Sequence, residues 1–291
     1  MPEFQSFPPP HDGYLTPAMG EAWARDGFLV LEGFADPQAI NVLRARIDAL
    51  VDGFDATSVR TVFDASEQDH AADLYFRESG DKVRFFFEPG AFGRDGSLVA
   101  EKRRALNKIG HALHDLDPEF DRFCRDSRLA RLAEGLDVVD PLLVQSMVIF
   151  KQPKIGAEVG MHQDATFLHT DPPSVIGFWF ALEGADRTNG CLLAVPGGHR
   201  GPLIERFHHE GEKLVMTALE DAAPAASGPV ALEVSAGTLV VLNGLLPHGS
   251  APNRSPRSRE AFALHIVDGA ARWSSDNWLR RDPAMPFRGF A

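Results

Sequence analysis

Two short motifs, far apart in the chain, carry side chains that could bind one metal ion together. His162 and Asp164 are separated by one residue and follow a β-like run that begins at Val159. Residues i and i+2 of an extended segment point to the same side, so the imidazole and the carboxylate can reach one point. His248 follows a second predicted strand much further along the chain. Two histidines and one carboxylate are the ligands of the facial triad that holds Fe(II) and leaves coordination positions open.

A basic residue follows the third predicted ligand, at the start of another predicted strand. Arg259 fits a carboxylate because its planar guanidinium can donate two parallel hydrogen bonds. Arg254 and Arg257 lie close to it in the sequence and are rival candidates. Strand alternation would place Arg257 on the same face as Arg259, so spacing alone leaves the choice open. An H-x-D triplet by itself is weak evidence for a metal site. The distant histidine and arginine strengthen that evidence.

The sequence pattern of the first half of the chain predicts helices. Residues 1–15 are predicted to be a flexible arm because they are rich in proline and polar residues. Thr16-Pro17 and Asp36-Pro37 each combine a good N-cap with a proline at the first helical position. In the second predicted helix, apolar residues recur at steps of three and four: Ile40, Leu43, Ile47, Leu50 and Val51. This amphipathic pattern predicts that the helix covers one face of a sheet.

From residue 142 the pattern changes to short apolar runs separated by Gly, Pro, Asn and Asp. The predicted strands are 142–150, 174–182, 191–195, 230–234, 238–242 and 261–267. Many short strands favour a sandwich or a barrel. We therefore predict a mainly β fold with flanking helices, in one domain over residues 16–291. A helical part, about 16–140, packs on a double-stranded β-helix (a cupin-like jelly roll), about 141–270.

Composition narrows the class of protein. The chain has 291 residues, 44% hydrophobic and 24% charged, and a net charge of −12. The negative charge argues against a general nucleic-acid or anionic-membrane surface, which needs basic patches. Two cysteines form no disulfide framework, and no apolar run reaches the roughly 18 residues of a membrane span. We expect a cytoplasmic protein with a small-molecule substrate, and a monomer by default.

Several longer runs are far more specific than the H-x-D triplet. They are residues 79–88, 107–114, 145–147, 149–153 and 162–165, which read SGDKVRFFFE, NKIGHALH, QSM, IFKQP and HQDA. With these runs the chain resembles the phytanoyl-CoA dioxygenase family, from about Asp26 to Leu279. The resemblance implies an Fe(II)- and 2-oxoglutarate-dependent dioxygenase that uses O2. It would hydroxylate a small organic substrate while 2-oxoglutarate is converted to succinate and CO2.

The resemblance also implies a role for individual residues. The implied iron ligands are His162, Asp164 and His248, and the implied 2-oxoglutarate contacts are Lys108, Met147, Trp179, Ser250 and Arg259. Family position thus favours Arg259 over its rivals. A carboxylate at position 164 indicates hydroxylation, because related halogenases carry a small residue there that lets chloride bind the iron. Spacing alone would not select Lys108, and it would assign Met147 and Trp179 to the core.

Two other functions remain open at this point. A cupin-like metal enzyme that does not use 2-oxoglutarate would need the same fold and ligands, and a non-catalytic jelly-roll binding module would need only the fold. The aromatic run Phe85–Phe87 is interpreted as core, with the alternative that a Phe or Arg84 lines a substrate mouth. The remaining histidines are given structural or surface roles: His111, His114, His169, His199, His208, His209 and His265.

Overall fold

The structure is a computed structural model that describes residues 4–56, 74–220 and 228–291. Within these ranges the helices are α1 Pro17–Asp26, α2 Pro37–Gly53, α3 Leu74–Arg77, α4 Lys102–Ala105, α5 Leu113–Leu116, α6 Pro118–Cys124 and α7 Ser127–Gly135. The strands are β1 Ser6–Phe7, β2 Phe28–Leu31, β3 Val83–Phe87, β4 Leu106–His111, β5 Pro141–Lys151, β6 Val159–His162, β7 Thr170–Asp171, β8 Ile176–Ala181, β9 Leu192–Ala194, β10 Glu205–Glu210, β11 Lys213–Ala218, β12 Val230–Leu232, β13 Leu239–Asn243, β14 His248–Ser250, β15 Arg259–Asp268 and β16 Arg272–Trp273.

Two sheets, antiparallel except for the pairing of β1 with β2, form the body of the fold. The larger sheet has the strand order β1-β2-β13-β8-β15-β5-β4-β3, and the smaller has the order β12-β9-β14-β6. One buried cluster combines side chains of both sheets, among them Trp179 and Ala263 from the larger and Leu192 and Leu232 from the smaller. The two sheets therefore face each other across a shared core. The predicted mainly β jelly roll is confirmed.

The helices cover the other face of the larger sheet. Thr16 and Asp36 cap α1 and α2 as predicted, each accepting a hydrogen bond from a backbone N–H three residues on. The amphipathic pattern of α2 buries Ile40, Leu43 and Ile47 in the cluster beneath the helices. Successive residues of a strand point to opposite faces of the sheet. Their side chains therefore lie alternately in this cluster and in the core between the two sheets. Within the described ranges no helix is long and apolar enough to cross a membrane.

The start of the chain differs from the predicted flexible arm. Ser6 and Phe7 form β1, which pairs in parallel with Val30 and Leu31 of β2. The ring of Phe7 is buried, so apolar burial holds the segment against the edge of the sheet. Residues 1–3 of the predicted arm lie outside the described residues. The division into one domain over residues 16–291 stays a prediction.

The aromatic run of β3 is core. Phe85 and Phe87 pack into the cluster beneath the helices, and Phe86 packs on the opposite side against Phe76 and Trp278. All three side chains of the run are buried. The core interpretation of this segment is therefore confirmed.

A buried carboxylate fastens the last part of the chain to the helical layer. Asp115 lies 2.8 Å from Arg281, 2.7 Å from Arg288 and 3.3 Å from Arg125. Its side chain is only 4% exposed. Burial raises the pKa of Asp115, but the hydrogen bond from His114 and the arginine charges outweigh burial and hold the pKa well below its usual range. The carboxylate is therefore charged at neutral pH and stabilises the folded state.

We expect Asp115→Asn to lower the free energy of unfolding by about 3 kcal/mol, because it removes one partner from a buried charge network. The depressed pKa in the folded state means that the contribution is present above about pH 4 and is lost as the pH falls further. Chemical denaturation at pH 7 measures the change. Asp121→Asn is the control, since Asp121 contacts two of the same arginines from a side chain that is 38% exposed. Equal losses in the two variants would contradict the role given to Asp115.

Candidate active site

The first two predicted ligands lie where a strand changes into a turn. His162 is the last residue of β6, and Asp164 begins a 3-10 turn that ends at Thr166. Gln163 between them is extended, so the side chains of His162 and Asp164 point the same way. The amide of Gln163 bonds to the backbone at Pro202, Ile204 and Leu245 instead. These three hydrogen bonds fix the residue that separates the two ligands.

The third predicted ligand comes from a neighbouring strand. His248 begins β14, which lies between β6 and β9, and it pairs directly with His162. The two imidazole ring centroids are 4.4 Å apart. In each case Nδ1–H donates to the carbonyl two residues earlier, Gly160 for His162 and Leu246 for His248. That hydrogen bond leaves the Nε2 lone pair free to bind a metal.

The three ligand atoms converge. One ligand atom from each of His162, Asp164 and His248 lies within 4.8 Å of the others. Asp164 Oδ1 is 3.7 Å from His162 Nε2 and 3.6 Å from His248 Nε2. Burial lowers the pKa of His248 to about 4, although Asp164 opposes this, so its imidazole is neutral at pH 7. A neutral imidazole and an ionised carboxylate are the forms that bind metals.

Asp164 stays ionised in spite of its burial. Desolvation raises its pKa, but the nearby imidazoles of His248, His265 and His162 bring the pKa well below its usual range. Burial also lowers the pKa of His162, while the adjacent Asp164 carboxylate raises it, and the net direction is upward. The Asp164 carboxylate thus lies among three histidines, His162, His248 and His265.

The larger sheet forms the floor of the site. Three rows of paired residues share its inner face: Lys108, Ile149 and Ala261; then Gly110, Met147, Ala263 and Trp179; then Gln145, His265 and Gly177. Glycine and alanine occupy several of these positions, which keeps side-chain volume low between the sheets. Lys108, Met147 and Trp179 therefore lie on the face that also carries His265 beside Asp164.

Arg259 is a buried basic residue of this face. It begins β15 and is six residues, an even number, before His265, so both side chains point to the inner face. Its Nε donates to the Gly190 carbonyl at 3.1 Å, and its guanidinium carbon is 5.5 Å from the ring centroid of Trp179. Among the described residues, Nη1 is buried without a hydrogen-bond partner. Burial lowers the pKa of Arg259 to about 10, so it remains a cation.

The structure separates Arg259 from its two sequence rivals. Arg257 has a side chain that is 60% exposed and forms an ion pair with Asp186. Arg254 is also exposed. A buried guanidinium with an unpaired nitrogen is suited to bind an anion, whereas an exposed, paired one is not.

The other predicted contacts also face inward or are buried. Ser250 is buried two residues beyond His248 on β14. Trp179 is buried between the sheets, and Met147 is partly buried against the same cluster. Burial lowers the pKa of Lys108 to about 7, opposed by the charge of Glu88. The site therefore contains basic side chains, Arg259 and Lys108, although the chain as a whole is acidic.

One residue beside the site was missed at the sequence level. His265 was assigned a structural or surface role, yet its Nε2 lies 3.3 Å from Asp164 Oδ2. The available signal is its even spacing from Arg259, which places both on one face if the predicted strand at 261–267 extends back to residue 259. Only the tertiary structure brings Asp164 against that face.

Comparison with known proteins identifies the family of this chain. The sequence model of the family described as phytanoyl-CoA dioxygenase (PhyH) matches residues 23–261. The chain belongs to this family. It is 43% identical over 270 residues to "Phytanoyl-CoA dioxygenase" of Arabidopsis thaliana, covering 92% of this chain and 95% of the relative. It is 40% identical over 283 residues to "Phytanoyl-CoA dioxygenase domain-containing protein 1" of Bos taurus, covering 94% and 97%.

A solved structure supports the fold of this family member. The epimerase SnoN, in complex with Fe3+, alpha ketoglutarate and nogalamycin RO, superposes with a TM-score of 0.64. The alignment covers 92% of this chain and 90% of SnoN, at 17% sequence identity. At 17% sequence identity, the structural similarity to SnoN establishes the fold alone.

We expect a divalent metal to raise the melting temperature of this phytanoyl-CoA dioxygenase family member, and Asp164→Ala to remove most of that rise. A ligand at 100 times its dissociation constant adds roughly 2.7 kcal/mol to the free energy of unfolding. Thermal denaturation with and without Co(II) measures the effect. Asp276→Ala is the control, because Asp276 lies 3.5 Å from His208 but belongs to no candidate metal group within the described ranges. A full metal-induced rise in Asp164→Ala would exclude the carboxylate as a ligand.

Proposed function

We propose that this protein is an Fe(II)- and 2-oxoglutarate-dependent dioxygenase that hydroxylates a small organic substrate. The convergence of His162, Asp164 and His248 carries the proposal. Two imidazole nitrogens and one carboxylate are a donor set suited to ferrous iron, and three ligands leave other positions for a cosubstrate. Membership of the phytanoyl-CoA dioxygenase family supports it.

The buried arginine supports 2-oxoglutarate as the cosubstrate. Arg259 offers a guanidinium nitrogen without a partner among the described residues, on the face that also carries His265 beside Asp164. A dicarboxylate that bound the metal at one end would present its other carboxylate to this cation. Ser250 and Lys108 are the proposed additional donors, and Met147 and Trp179 the apolar contacts. SnoN, which shares the fold, was solved with Fe3+ and alpha ketoglutarate.

Bound iron with 2-oxoglutarate and O2 would supply the oxidising chemistry. The chain's own residues would bind and orient the cosubstrate and exclude water. His162 and His248 keep their Nε2 atoms directed at the site through the Nδ1 hydrogen bonds to Gly160 and Leu246. The flanking sheets enclose the ligands, since Asp164 and His248 are both buried.

Anaerobic addition of Fe(II) and 2-oxoglutarate should produce the weak visible charge-transfer band of the chelate, and admission of air should yield succinate. Absence of both would contradict the proposal and favour a cupin-like enzyme or a binding module. Succinate production across a library of metabolites would then identify the substrate class. A product heavier by one oxygen would confirm hydroxylation, and an isomeric product of unchanged mass would refute it.

We expect Arg259→Ala to raise the 2-oxoglutarate concentration needed for half-maximal turnover by about 30-fold or more. Loss of one partner of a buried charge pair costs about 2 kcal/mol or more, and each 1.4 kcal/mol is about tenfold in affinity. Initial rates of succinate formation against 2-oxoglutarate concentration measure the effect. Arg257→Ala is the matched control, because Arg257 is exposed and paired with Asp186. Equal effects from the two variants would remove Arg259 from the cosubstrate site.

A further inference from the structure

His265 is a buried histidine that the proposed chemistry does not use. It lies on β15, is 6% exposed and faces the candidate metal ligands from the larger sheet, which forms the floor of the site. Its Nε2 is 3.3 Å from Asp164 Oδ2, while its Nδ1 is buried without a hydrogen-bond partner among the described residues. The Nε2 atom therefore lies within reach of the carboxylate, and the other nitrogen has no competing hydrogen bond within the described residues.

The two oxygens of Asp164 have different surroundings. Oδ1 faces the Nε2 atoms of His162 and His248, at 3.7 and 3.6 Å. Oδ2 is turned away from them, toward His265. The His265 contact is looser than an ideal hydrogen bond, because no group in the described residues meets hydrogen-bond geometry at Oδ2. Hydrogen bonds around reacting centres are often long in unliganded structures and tighten when the ligand binds.

Gly177 limits the carboxylate from the same side. It pairs with His265 across the sheet, and a Cβ built on it would lie 3.0 Å from Asp164 Oδ2 and 3.6 Å from His265 Nε2. A side chain at this position would push the carboxylate toward the metal or displace the imidazole. Because residue 177 is a glycine, this space is available to Oδ2.

We propose that His265 is a positioning residue that holds Asp164 Oδ2, so that only Oδ1 binds the metal. The proposal rests on the proposed function, because it concerns the same metal site. A carboxylate that bound through both oxygens would occupy one more coordination position, which the chelating cosubstrate and O2 would otherwise use. Groups behind a metal ligand fix its orientation, and their loss typically costs 10- to 100-fold in metal affinity.

The test uses Co(II) titration of the purified full chain without oxygen, followed by visible absorption. We expect His265→Leu to weaken Co(II) binding about 10- to 100-fold, as is typical for partners of a metal ligand. His265→Gln should recover most of the affinity, because its amide N–H can still reach Oδ2. Gly177→Ala should also weaken binding, whereas Gly20→Ala in α1 should not, since a Cβ there meets nothing within 4 Å.

His114→Gln controls for loss of any buried histidine. His114 Nε2 lies 3.1 Å from Asp115, and its Nδ1 bonds to Ser146 on the opposite face of β5 from Met147. This variant should lose stability but keep wild-type Co(II) affinity. Wild-type affinity in His265→Leu, or equal losses in the Leu and Gln variants, would overturn the positioning role. Absence of Co(II) binding by the wild type would instead overturn the metal site itself.

Discussion

The pairing of β14 with β6 is the contact on which the site depends. It sets His248 directly opposite His162, although the two residues are far apart in the chain. Neighbouring strands lie only about 5 Å apart, so a register fixed by backbone hydrogen bonds also fixes the distance between paired side chains. β9 pairs with the other edge of β14, which holds the strand on both sides. The ligand geometry is therefore a property of the sheet.

Local hydrogen bonds then direct each candidate ligand within that frame. Both histidines use the same device, an Nδ1–H bond to the carbonyl two residues earlier. Gln163 is fastened to the backbone on the far side, which keeps its neighbours turned inward. On the floor of the site, Gly177 leaves room for the Asp164 carboxylate. A site assembled on strands in this way is more precise than one placed on loops.

Burial explains why an acidic protein can hold a basic pocket. The net charge of −12 belongs mainly to exposed side chains, whereas Arg259 is almost fully buried. A buried cation with an unpaired nitrogen is costly by itself, and the cost is offset when an anion supplies the missing partner. On the same face, burial lowers the pKa of Lys108 to about 7, opposed by the charge of Glu88. Perturbed groups gathered in one cavity are characteristic of functional sites.

The sequence determined the features that depend on neighbouring residues. The caps at Thr16 and Asp36 mark the starts of α1 and α2, because capping is a local hydrogen bond. The apolar runs after residue 142 each contain a strand, so the jelly roll could be predicted, although the strand ends shift by up to two residues. The order of His162, Asp164 and His248 with Arg259 indicated the chemistry, and the structure brings the first three together.

Only the tertiary structure decided the features that depend on contacts distant in sequence. It paired Ser6 and Phe7 with β2, where a flexible arm was expected. It buried Arg259 and exposed Arg257, which strand alternation could not distinguish. It also brought His265 against Asp164. The physical reason is that capping and periodicity act between neighbours, whereas sheet register and burial join residues whose separation no local pattern records.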